Sequence, residues 1–148
     1  MSNVFLPRGF RNNNPLNLRK GSAWKGLAPV QNDKSFCVFR SMRFGLRAAI
    51  YLLLKYYTLY QLHTIYDIIS RWAPDCENDT WNYCKLVAKE MHIPYKFIAT
   101  LDLNLSHDDE RLYDLLCAMI FVENGRHLYF PLDDFYDIIS NDIPSFLK

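Results

Sequence analysis

The sequence predicts a mainly helical single domain with a short extended element near its N-terminus. Three observations carry this expectation. Apolar residues recur at helical spacing in several separate stretches between Ser41 and Ser140. Half of the 148 residues are apolar, so one compact core can form over residues 1–148 without metal or disulfide staples. Residues 1–34, by contrast, are rich in Asn, Gly and Pro and show no such period.

Taken in order, residues 1–34 read as loops with one extended piece at Leu16–Arg19, and Ser35–Arg40 reads as a short strand. Together these predict a β-hairpin or extended element. Ser41 then offers a cap, and Leu46, Ala49, Ile50, Leu53, Leu54 and Tyr57 define the first firm helix. A shorter helix begins near Thr64, carries Ile65, Ile68 and Ile69, and stops before Pro74. Asp79 or Thr80 caps a third, with Tyr83, Val87 and Met91 on one face. Ile93–Leu105 reads as irregular around a short helical turn. Ser106 with Asp109 resembles a capping box opening a helix along Leu112, Leu115, Leu116, Met119 and Ile120. Asn124-Gly125 ends that helix, because Gly readily takes the left-handed C-cap conformation. A last helix runs from Asp133 to about Ser140.

Charge and cysteine usage narrow the function classes. Net charge is +1 with no block of five like charges, which weighs against nucleic-acid binding driven by phosphate neutralisation. The first 47 residues are nevertheless locally basic, with only Asp33 offsetting nine Lys and Arg. A basic face there suits an anionic polymer. Cys37, Cys76, Cys84 and Cys117 lie far apart without a CxxC or CxxH pair, so reduced thiols are expected and no metal site. Met1–Phe10 lacks the apolar run of a secretory signal, and Ala48–Leu54 is too short to span a bilayer. Synthesis in the cytoplasm, without a signal peptide and without membrane insertion, is the expectation.

Three constellations could carry chemistry. The first is Ala118–Arg126, in which Glu123 ends an apolar helix just before Asn124-Gly125. Apolar neighbours and the negative field of a helix C-terminus both favour a protonated carboxyl, which a proton donor needs. The plainer reading is an exposed Glu in a last helical turn. The second is Arg8–Arg19, where Asn12, Asn13 and Asn14 precede Pro15. That run makes a rigid turn whose amides either bond its own backbone or face sugar hydroxyls and N-acetyl groups. The third is Arg71–Thr80 with Tyr83, where Trp72, Asp75, Glu77 and Asp79 converge on a helix start. Asp79 or Thr80 as a cap and Trp72 as core form its structural reading. A thiol nucleophile paired with His63, His92, His107 or His127 is a weaker alternative, since no local motif supports it.

These residues carry a resemblance. Gly9–Arg19, Trp24-Lys25-Gly26-Leu27, Phe36, Phe39, Gly45–Ala48, Trp72-Ala73-Pro74, Glu77–Thr80, Tyr83 and Glu123-Asn124-Gly125 resemble, in order and spacing, a family of small phage and prophage proteins. That family, often described as virion structural proteins, lies within the lysozyme-like superfamily, and the likeness covers about 120 residues from Gly9 to Tyr129. Leu16 departs from the pattern, where most relatives are expected to carry Gly. The chain is also similar to bacterial glucosaminidases and lytic transglycosylases, in which a helix ends in a catalytic Glu followed by Ser-Gly. In those enzymes the Asn-rich segment follows the Glu helix, whereas here it precedes it. The resemblance therefore implies an α+β lysozyme-like fold in circularly permuted order.

It further implies an enzyme that cuts peptidoglycan glycan strands, with Glu123 as general acid and no cofactor. Glu77 or Asp79 would serve as a second carboxylate. Arg11, Asn13, Asn14, Asn17, Trp24, Trp72, Thr80, Tyr83, Arg126 and Tyr129 are the expected substrate-binding residues. The implied partners are the wall itself and components of a virion or secretion machine that deliver the protein to the cell wall or periplasm. A non-catalytic virion or secretion-apparatus protein that only binds peptidoglycan is the alternative.

Overall fold

In the computed structural model, residues 6–75 and 79–148 are described. Six α-helices account for nearly half of them: α1 (Arg8–Arg11), α2 (Met42–Thr58), α3 (Ile65–Trp72), α4 (Thr80–Glu90), α5 (Asp109–Asn124) and α6 (Leu132–Asp142). Short 3-10 turns occupy Tyr95–Phe97 and Ser145–Leu147. The mainly α class expected from the sequence is the class observed.

Helix α2 is the longest and turns Leu46, Ala49, Ile50, Leu53 and Leu54 into the core. Helix α6, the Ser145–Leu147 turn and α3 all pack on it, while α4 packs on both α3 and α5. Helix α5 contributes Leu112, Leu115, Leu116, Met119 and Ile120, all buried. Burial of such side chains supplies the main driving force, about 25 cal/mol per Å² of apolar surface removed from water.

The helix boundaries follow local chemistry, with corrections. Thr64 caps α3 by accepting from the Asp67 amide, and Asp79 caps α4 by accepting from the Asn82 amide. Ser41 stands at the N-cap of α2 but makes no side-chain cap bond. The cap of α5 is Asp108, which accepts from the Arg111 amide at 2.9 Å, and not Ser106. Gly125 ends α5 in the left-handed conformation, at φ 70°.

The N-terminal region differs most from expectation. Residues 8–11 form the single turn of α1, which lacks an apolar period to announce it. Ser35–Arg40 is not a regular strand. It makes isolated antiparallel bridges, Phe36 with Arg19 on one side and Phe39 with Leu27 on the other. Amide-to-carbonyl bonds from Cys37 to Leu18, Lys20 to Ser35 and Ala28 to Val38 complete this three-segment arrangement. Gly26 enables it, because its φ is 84° and a Cβ there would fall 2.1 Å from the Phe44 ring.

Candidate functional site

The Asn-rich turn is held by its own backbone and by α2. Asn14 is fully buried; its amide nitrogen donates to the carbonyls of Leu18 and Cys37 and its oxygen accepts from the Leu18 amide. Asn13 and Asn17 stand at φ 52° and 53°, a left-handed conformation that Asn tolerates better than most residues. Asn13 donates to the Phe39 carbonyl. Its own carbonyl rests on Gly45 of α2, where a Cβ would come within 1.8 Å of that oxygen. Asp33 braces the outer side, accepting from Arg8, Asn12 and the amides of Ser35 and Phe36.

The end of α5 docks on this turn. Asn124 donates to the Pro15 carbonyl at 2.8 Å and to the Ile120 carbonyl at 2.9 Å. Gly9 of α1 makes the approach feasible, since a Cβ there would lie 2.5 Å from the Asn124 side-chain oxygen and 2.8 Å from the Asn14 carbonyl. Glu123 is thereby placed beside Asn17, whose amide donates to Oε1 at 3.1 Å. From α4, the Tyr83 hydroxyl donates to Oε2 at 2.8 Å. Burial first, then the Glu123 charge, push the Tyr83 phenol well above its ordinary ionisation range, so it stays a donor.

A cleft of about 250 Å³ opens in front of this carboxylate. The turn contributes Leu16, Asn17 and Arg19 to its walls, α2 contributes Leu52 and Tyr56, and the end of α3 contributes Trp72 and Ala73. Trp72 and Tyr56 meet edge to face with ring centroids 6.0 Å apart. Among the described residues, Glu123 is the one carboxylate lining the cleft. Such a site offers one fixed carboxyl, one side-chain amide, one cation and three aromatic rings, Phe36, Tyr56 and Trp72, around a space sized for a small ring or two.

The structure thus brings Glu123, Asn17, Tyr83 and Trp72 together. Other expected site residues lie elsewhere. Asn14 and Thr80 are buried and already bonded, Thr80 through its hydroxyl to the Ala73 carbonyl, so both shape the site from behind. Asn13 spends its amide on Phe39. Asp79 is exposed, caps α4 and does not line the cleft; Glu77 lies outside the described residues. Arg11, Arg126 and Tyr129 are exposed and do not line the cleft, the Arg126 guanidinium lying 5.8 Å from the Phe10 ring centroid. Trp24 lines an adjoining cavity instead. Leu16, the departure from the expected pattern, is buried and forms cleft wall.

Residues missed from the sequence are Leu52 and Tyr56, one helical turn apart, with Arg19 and Phe36 facing them. Their signal is a second stripe on α2 beside the buried one, spaced four residues apart. Among the described residues no thiol lines the cleft, burial pushes Cys84 and Cys117 up to about 11, and Cys76 lies outside the described residues. Among the described residues there is no cluster of three or more His, Cys, Asp or Glu that could hold a metal, and no helix long and apolar enough to cross a membrane.

No family model matches the chain. It is 40% identical over 126 residues to Protein P5 of Pseudoalteromonas phage PM2, a match spanning 82% of this chain and 74% of that one. At that identity over most of both lengths, the chain belongs to the family of phage PM2 protein P5.

Proposed function

We propose that this protein cleaves the glycan strands of bacterial peptidoglycan, with Glu123 as the general acid. One observation carries the reading: at the wall of an aromatic-lined cleft stands one carboxyl, the only one there among the described residues, clamped on one oxygen by Asn17 and on the other by Tyr83. A protonated Glu123 would give its proton to the glycosidic oxygen as the C–O bond breaks. Asn17 and Tyr83 then both donate to the carboxylate that forms, stabilising the charge as it develops. A hydroxyl can also accept, so Tyr83 stays bonded to Glu123 in either protonation state. Trp72 and Tyr56 supply flat faces for pyranose rings.

The oxocarbenium-like species can collapse by attack of water, of the substrate's own N-acetyl group, or of a sugar hydroxyl that leaves an anhydro product. With Glu123 as the one carboxylate of the cleft among described residues, the latter two routes need no further acid or base from them. Both belong to the glucosaminidase and lytic-transglycosylase type of chemistry. The lysozyme-like α+β relationship and the permuted order of its segments belong to the same proposal, supported by the meeting of the first Asn-rich turn with the late Glu helix. Action at the wall after release or delivery from the cytoplasm, with virion or secretion-machine components as partners, completes it. The mechanism calls on no cofactor.

The test is muropeptide release from purified peptidoglycan by native protein and by Glu123→Gln, with products weighed by mass spectrometry. Native protein is expected to release fragments and the variant to be slower by about 10²–10⁴-fold, the usual contribution of a general acid. No release by native protein across pH and salt would overturn the enzymatic reading and leave a peptidoglycan-binding virion component.

A further inference from the structure

A second cavity, of about 410 Å³, adjoins the Glu123 cleft, and Leu52 lines both. Arg47, Tyr51 and Lys55 lie one turn apart on α2 and point into it, and Trp24 and Lys25 close it from the loop side. Trp24 meets Tyr51 edge to face with centroids 5.7 Å apart. Three cations thus share one small space whose lining, among the described residues, holds no acid. None of the three forms an ion pair among those residues, unlike Arg8 and Arg43, which do. Arg47 stands 5.6 Å from the Tyr51 ring centroid, and its Nε is shut off from solvent without a hydrogen-bond partner. A ligand in the cavity would therefore meet the terminal nitrogens of Arg47, whose paired N–H donors match the two oxygens of a carboxylate.

We propose that this cavity binds the carboxylates of the acidic peptide carried by the glycan, so that the substrate is the peptide-bearing strand and not the bare sugar chain. The inference rests on the glycan-cleaving reading of the adjoining cleft. Geometry separates the two roles: the uncharged sugar backbone takes the Glu123 side, and the branch charges take the Arg47 side. A nucleic acid fits worse. Its phosphates form a continuous line that would have to run past the Glu123 carboxylate, whereas branch carboxylates need not.

The experiment is calorimetric titration of Glu123→Gln, chosen to suppress turnover, with glycan oligomers bearing peptides, with bare chitin oligomers of the same length, which carry no carboxylate, and with a single-stranded oligonucleotide. Peptide-bearing oligomers are expected to bind about tenfold more tightly than bare ones, the effect of one well-made charged hydrogen bond. Adding Arg47→Gln or, separately, Lys55→Gln should remove most of that preference and leave affinity for bare oligomers unchanged. Because Arg47 is partly buried, Lys55→Gln decides if the first variant fails to fold. Equal affinity for both oligomers, a preference that survives Lys55→Gln, or equally tight binding of the oligonucleotide would each overturn the inference. A peptide preference in a protein whose native form releases no fragments would reject the catalytic reading while sustaining this one.

Discussion

The Asn17 side-chain amide donates to Glu123 Oε1 over 3.1 Å, joining residues 106 positions apart in the chain. That single bond ties the first turn of the fold to the end of its fifth helix, and it fixes where the carboxyl points. Its backbone setting makes a clean test available. Asn17 sits at φ 53°, so Asn17→Gly keeps the conformation while Asn17→Ala adds left-handed strain of about 1–2 kcal/mol. Both variants are expected to lose turnover about tenfold through a looser Glu123, the cost of one hydrogen bond to a charged group. Only the alanine variant should also show a clearly lower Tm. Full activity in Asn17→Gly would mean that the bond does not position the acid.

Tyr83 acts on the other oxygen from inside the protein. The phenol is buried and held protonated by burial and by the Glu123 charge, so its removal is felt by that carboxyl first. Tyr83→Phe preserves ring packing and deletes the 2.8 Å bond. Loss of about 1.5–3 kcal/mol, typical for a hydrogen bond to a charged group, is expected to show as roughly a ten- to hundredfold lower kcat. KM should hold, because the hydroxyl touches Glu123 and not the cleft. A raised KM with unchanged kcat would reverse the assignment and make Tyr83 a binding residue.

How far the site could be read in the sequence depends on the range of each interaction. The helices were legible because burial imposes a period: Leu46, Ala49, Ile50 and Leu53 cannot all face the core in a strand. The end of α5 was legible too, since Gly125 supplies a conformation that few residues tolerate. Helix α1 was not, because four residues carry no period, and the Phe36 and Phe39 pairings were read as a strand because alternation alone does not distinguish a ladder from two isolated bridges. Ser106 lost the α5 cap to Asp108, two residues on, where a carboxylate accepts from the Arg111 amide. Within the site, Glu123 and Asn17 are recognisable from sequence, whereas Leu52 and Tyr56 are not. An apolar residue on the shoulder of a helix reads as core until the opposite wall of the cleft is known. Asn14 shows the converse: its residue type suggested sugar recognition, and its burial assigns it to the loop.

Gly45 is where the fold has least room. A methyl group there would fall 1.8 Å from the Asn13 carbonyl oxygen and 2.9 Å from its carbon, both backbone atoms that cannot swing aside. Gly45→Ala therefore has to push the Asn-rich turn off α2. A loss of about 3 kcal/mol, the upper end of ordinary over-packing costs, is expected from urea denaturation. Because Asn17 rides on the same turn, activity measured well below the unfolding temperature should fall as well. Wild-type stability in Gly45→Ala would show that the turn and α2 do not approach as described.

Asp33 gives the same turn a dependence on pH. Its carboxylate accepts from Arg8 at 2.6 and 2.7 Å, from Asn12 at 2.9 Å and from the amides of Ser35 and Phe36. The Arg8 bond first, helped by those donors, holds the acid far below the usual carboxylate range despite the opposing effect of its desolvation. A folded-state value below the unfolded one means that the unfolded chain binds the proton more readily. The stabilisation is therefore complete above the unfolded value of about 4 and is lost as pH falls below it. Native protein is expected to show a urea midpoint that declines through that acid range. Asp33→Asn should start lower at neutral pH and lie closer to native protein as pH falls, because its amide cannot form the ion pair at any pH. A gap between the two midpoints that stayed constant from pH 7 down to about 2 would show that Asp33 ionisation contributes nothing to the fold.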